Sequence, residues 1–125
     1  MKSYAAFLGF TAVAILALGA HALKKTLTLD QLESLSTAAY IQIIHAAVLL
    51  ILSNTIDKNQ ILARRALLFM STGIGLFSFS IYLLLLKNLP AAEWLRMLWP
   101  ITPIGGILLI ASWMLLFVHF LKSKE

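Results

Sequence analysis

The chain has no cysteine, only three prolines in 125 residues, and charged side chains at only 12% of positions. Without cysteine there is no disulfide, no thiolate metal site and no cysteine nucleophile. Scarce charge matters more, because four long stretches hold no Lys, Arg, Asp or Glu at all: Tyr4 to Leu23, Thr37 to Ser53, Ala66 to Leu86 and Ile101 to Leu121. Each is near the roughly 20 residues that a bilayer-spanning helix needs. Little chain remains for a water-soluble domain. The expected fold is therefore all-α: an integral membrane four-helix bundle over residues 1–125, a single transmembrane domain, with short interfacial helices in the non-cytoplasmic loops.

Composition agrees. Hydrophobic residues make up 61% of the chain and the mean hydropathy is +0.92, where a soluble globule is roughly half apolar. The net charge of +5 is scattered through short loops rather than gathered on one face, which argues against nucleic acid as a partner. The first stretch ends in Ala20-His21-Ala22, which mimics a signal-peptidase site. It is longer than a signal core, however, and Lys24 and Lys25 follow as a stop-transfer flank, so it is expected to be retained as a span. With four spans, Lys2, Lys58, Arg64, Arg65, Lys122 and Lys124 lie on one side, and Lys24, Lys25, Lys87 and Arg96 on the other. The positive-inside rule then predicts both termini in the cytoplasm.

Two loop segments carry helix signals. Thr28 stands three residues before Gln31 in a capping-box pattern, with Asp30 and Glu33 in the first turn. Leu29, Leu32 and Leu35 predict a short helix lying along the membrane surface ahead of the second span. Pro90 opens a second segment, Ala91 to Trp99, in which Trp94 and Trp99 suit the headgroup layer.

Inside the spans, polar side chains need partners, because hydrocarbon offers none. His21 closes the first span, and Gln42 and His45 share a face of the second, about 8 and 12 Å in from Thr37 at 1.5 Å per residue. The third span brings Ser78, Ser80 and Tyr82 toward the same side. The fourth starts there with Thr102, Pro103, Gly105 and Gly106. All are expected to converge in one membrane half. Thr102 is expected to cap the fourth helix, leaving bare N–H groups at Gly105 and Gly106 on which an anionic or carbonyl oxygen could dock. The bland alternative is that these side chains bond across helices, each contributing about 0.6 kcal/mol. His119, beside Lys122, reads as an interfacial residue, and Gly9, Gly73 and Gly75 as close-packing points.

Four motifs, one per span, carry a resemblance: Gly19-Ala20-His21-Ala22-Leu23; Gln42 with His45; Phe77-Ser78-Phe79-Ser80-Ile81-Tyr82; and Ile101-Thr102-Pro103-Ile104-Gly105-Gly106. In this order they resemble the YgdD-like family of small bacterial inner-membrane proteins, a domain of unknown function. The resemblance implies a four-helix fold and an inner-membrane location, and no activity. Phe79 stands where the family pattern has Gly, and a ring between Ser78 and Ser80 is expected to hold neighbouring helices apart there.

Three function classes follow. No nucleophile, carboxylate pair or metal-ligand spacing lies inside the spans, so the first is a non-enzymatic protein with no cofactor. Its partners would be the lipid bilayer and a homo-oligomer or larger membrane complex, and it would organise lipid or that assembly. The second is a ligand- or proton-handling site built from His21, Gln42, His45 and the helix-four N-terminus. The third is a haem or quinone protein with His21 and His45 as axial ligands, made awkward by an offset in depth of roughly 8 to 10 Å.

Overall fold

The computed structural model describes residues 1–57, 59–85 and 97–122, and within them every regular element is helical. The first span is α1 (Lys2–Ala20), followed by a short 3₁₀ turn, Leu23–Lys25. The second is α2 (Leu29–Thr55). The third runs from α3 (Ile61–Ile74) through a π-helical segment (Gly75–Phe79) into α4 (Ser80–Leu85), and the fourth is α5 (Ile101–Lys122). All four are long and apolar enough to cross a membrane.

The predicted surface helix at Leu29 is instead the beginning of α2. The capping box forms as expected: Gln31 N–H donates to the Thr28 hydroxyl, and Thr28 N–H donates to Gln31 Oε1. No proline or glycine follows before Thr55, so nothing breaks the helix where the surface segment was expected to end. One 27-residue helix results, about 40 Å long, and Gln42 falls at its midpoint. The second predicted interfacial segment, including Trp94 and Arg96, lies outside the described residues apart from a 3₁₀ turn at 97–98 and the exposed Trp99.

Packing follows from small residues. The principal pairings are α1 with α2 and α3 with α5, and α2 also meets α3. The core is built from Ala5, Leu8, Ala46, Leu49, Ala66, Leu67, Met70 and Ile74, closed by Leu109 and Leu116 of α5. Large side chains such as Phe10, Ile107, Ile110 and Phe117 point outward. Lipid replaces water as their neighbour, so their exposure carries no hydrophobic penalty, and close backbone approach drives association. Gly19 meets Leu35, and Gly73 sits against Leu109 and the Gly105 carbonyl. Gly9 departs from expectation: a methyl group there would meet nothing within 4 Å, so it faces outward rather than into a packing point.

The closest approach is at Gly105. A side chain there would collide with the backbone nitrogen of Phe77, in the middle of the π segment. The wide π turn, which tends to occur at sites of local adjustment, brings the Phe77 backbone against α5. It also corrects the expectation for Phe79. That ring turns outward, 38% exposed, and stacks edge-on with Tyr82 at 6.0 Å, so it does not hold the helices apart.

Candidate functional site

The polar side chains inside the bundle form a chain of interhelical hydrogen bonds. Gln42 is fully buried. Its Nε2 donates to the Leu8 carbonyl at 2.8 Å and to the Thr11 hydroxyl at 2.7 Å, and its Oε1 accepts from the Tyr82 hydroxyl at 2.9 Å. One side chain thereby ties α1, α2 and α4 together. Tyr82 reaches the middle of the bundle from near the end of its helix because helical side chains lean back toward the N-terminus.

Further bonds lie toward the start of α2. The Ser78 hydroxyl donates to the Ala38 carbonyl at 3.0 Å, joining the π segment to α2. Ser80 and Thr102 share a hydrogen bond at 2.7 Å, joining α4 to α5, and the Ser80 hydroxyl also reaches the Phe77 carbonyl at 2.9 Å. Thr102 is therefore spent on Ser80 and not on capping. Helix α5 begins one residue earlier, at Ile101.

That start also removes the expected donors. Only the first four N–H groups of a helix lack intrahelical partners, and Gly105 and Gly106 are the fifth and sixth residues of α5. Gly105 is buried against Phe77, and the Phe77 ring lies 3.8 Å from where a Gly106 side chain would begin. The space for a docked oxygen at Gly105 is filled by the Phe77 backbone.

His45 lies just past the midpoint of α2 and is buried. Its Nδ1 sits 2.7 Å from the Ile41 carbonyl, and its Nε2 accepts from the Trp113 indole N–H at 3.0 Å. A carbonyl can only accept, and an indole N–H can only donate. The ring is therefore a neutral imidazole with its proton on Nδ1, and both nitrogens are engaged. The two rings meet edge-on at 6.0 Å.

His21 is not part of this network. It is exposed, and its backbone N–H closes the last turn of α1 on the Ala17 carbonyl. The expected convergence in one membrane half is thus spread out: Ser80–Thr102 and Ser78–Ala38 near one side, Gln42 central, His45–Trp113 beyond it, and His21 at the edge. Their partners place them: Gln42 bonds Leu8 and Thr11 around the middle of α1, and His45 bonds Trp113 just past the middle of α5. His119 is half-buried in the last turn of α5, with Phe120 at 5.1 Å.

Sequence reasoning missed Thr11 and Trp113. Both had a readable signal, a hydroxyl and an indole N–H in mid-span that need acceptors away from water. Tyr4, whose hydroxyl donates to the Ser71 carbonyl at 3.2 Å, was missed for the same reason. Among the described residues, no buried side-chain nitrogen or oxygen lacks a partner.

The family description "Protein of unknown function (DUF423)" matches residues 15–106, a span holding His21, the Gln42–His45 pair, the Ser-Phe-Ser turn and the Thr-Pro start of α5. The chain belongs to the DUF423 family. It is 32% identical to the UPF0382 inner membrane protein YgdD of Escherichia coli strain K12, over all of this chain and 92% of that protein. It is 32% identical to a UPF0382 membrane protein of Haemophilus influenzae, over 94% of this chain and 90% of that one, and 35% identical to one from Staphylococcus saprophyticus, over 85% and 83%. No solved structure matches the chain. As a DUF423 protein with four spans, it is a small integral membrane protein. Two of its paired side chains, Thr11, which accepts from Gln42, and Trp113, which donates to His45, lie outside the matched segment, so the DUF423 pattern alone does not contain the complete network.

Proposed function

We propose that this DUF423 protein is a non-enzymatic component of the bacterial inner membrane that organises lipid or a larger membrane assembly through its outer faces, with both termini in the cytoplasm. One observation carries the reading. The polar groups that could have formed an internal site are spent on one another: Gln42 on Leu8, Thr11 and Tyr82, His45 on Ile41 and Trp113, and Ser80 on Thr102. An internal ligand- or proton-handling site needs free valence at His45, and an axial haem ligand needs the lone pair that Trp113 occupies. The inner-membrane placement is supported by the name of the Escherichia coli relative, and the orientation by the excess of Lys and Arg on the side of the termini.

The test is native mass spectrometry of the chain extracted with its surrounding lipids, in wild-type form and as His45→Ala. The expected result is the same set of retained lipids or subunits in both, with a lower unfolding midpoint in the variant. A small bound mass that disappears with His45 would overturn the reading and make the internal network a ligand site.

A further inference from the structure

We infer that the groove between the end of α1 and the beginning of α2 is a docking site for one anionic phospholipid, an inference that rests on the lipid-organising reading above. The groove has a volume of about 660 Å³, within the range of ligand clefts, roughly 300–1,000 Å³. Its wall is apolar, with Val13 and Leu16 from α1 and Leu32 from α2. Three polar side chains open into it: Lys24 from the 3₁₀ turn after α1, and Ser36 and Tyr40 one helical turn apart on α2.

These three differ from the polar groups of the core. Gln42, His45, Ser78 and Ser80 all have partners within the bundle, whereas among the described residues no hydrogen bond or ion pair engages the side chains of Lys24, Ser36 or Tyr40. Tyr40 is 56% exposed on the second span. A hydroxyl facing hydrocarbon without an acceptor is costly, so an occupant that supplies one is favoured. Ser36 and Tyr40 are separated by about 6 Å along the helix axis, and both lean toward the α2 N-terminus and the membrane surface. The resulting order, from the surface inward, is an ammonium, two hydroxyls and an apolar wall. A phospholipid presents the complementary order: a phosphate, ester carbonyls and an acyl chain.

Charge selects the class. A second cleft, of about 630 Å³, borders the same N-terminal turns of α2 on its other flank, between α2, α4 and the start of α5. It is of similar size and also part apolar, but the charged residues among the described ones that line it are Asp30 and Glu33. Lys24 in one described lining and Asp30 with Glu33 in the other give a lipid of net negative charge a preferred side. Gly19 completes the fit, since its lack of a side chain lets Leu35 close the α1–α2 contact beneath the groove.

The experiment adds phosphatidylglycerol or phosphatidylethanolamine to the full chain, delipidated in a non-ionic detergent, and reads occupancy by native mass spectrometry. Wild type is expected to hold one phosphatidylglycerol in preference to phosphatidylethanolamine. Lys24→Gln is expected to weaken that binding about fivefold, the equivalent of the roughly 1 kcal/mol that one basic residue contributes near an anionic surface. Tyr40→Phe should weaken it about two- to threefold, and Lys25→Gln, outside the groove, by less than twofold. All three positions are exposed, and unfolding midpoints of the variants check that they fold. Equal losses in Lys24→Gln and Lys25→Gln, or equal binding of the two lipids, would overturn the groove while leaving the broader lipid reading intact. Binding of neither lipid would overturn both.

Discussion

Replacing Gln42 with Leu tests the internal network most directly. The substitution keeps the side-chain volume close to that of Gln42 and removes three hydrogen bonds, to the Leu8 carbonyl, the Thr11 hydroxyl and the Tyr82 hydroxyl. Interhelical hydrogen bonds in membranes average about 0.6 kcal/mol and reach about 1.7, so three of them put the expected loss near 2 kcal/mol. The fully buried position leaves water no route to substitute. Thr11 retains its bonds to the Phe7 and Leu8 carbonyls, so most of the unpaired cost falls on Tyr82. The assay is reversible unfolding in mixed micelles, on the wild type, Gln42→Leu, Tyr82→Phe and the double variant. Tyr82→Phe alone should cost about 0.6 kcal/mol and should cost almost nothing once Gln42 is gone, a coupling of about 0.6 kcal/mol, just beyond the roughly 0.3–0.5 kcal/mol within which independent sites add. Strict additivity, or a Gln42→Leu loss below about 0.5 kcal/mol, would refute the claim that this glutamine ties three helices together.

Other consequences are similarly concrete. Trp113→Phe and His45→Ala should be non-additive in the same assay, since each removes one half of a single hydrogen bond; independent effects would show that the indole bonds elsewhere. Gly105→Ala should destabilise by about 1–3 kcal/mol, as overpacking does, because the new methyl group meets the Phe77 backbone, whereas Gly9→Ala, with nothing within 4 Å, should be neutral or slightly stabilising. Equal unfolding midpoints for those two glycine variants would contradict the close approach of α5 to the π segment. Thr28→Ala removes the capping box and should cost about 0.5–2 kcal/mol, with faster amide hydrogen exchange confined to the first turn of α2; unchanged exchange there would mean that the cap is not formed.

Local signals were enough for the solvent, the number of spans, the position of the capping box and the one-per-span arrangement of polar residues. Each depends only on neighbours in sequence: uncharged runs of bilayer length, a Thr three residues from a Gln, and hydroxyls and amides standing where hydrocarbon surrounds them. The full length of α2 was local in origin too, since an uninterrupted run from Leu29 to Thr55 with a cap at Thr28 already implies one long helix. Partnership was another matter. Which acceptor Gln42 finds, whether the Nε2 of His45 is free or held by Trp113, and whether Gly105 opens a site or closes one against Phe77 depend on the rotation and spacing of whole helices. Those are set by where small residues let backbones approach and by the extra residue of the π turn, which displaces everything after Gly75 by a fraction of a turn. Tertiary packing thereby paired the polar groups of the core with one another, and left Lys24, Ser36 and Tyr40 without a partner among the described residues, where no hydropathy pattern singles them out, because an exposed tyrosine and a paired one look alike until the neighbouring helices are in place.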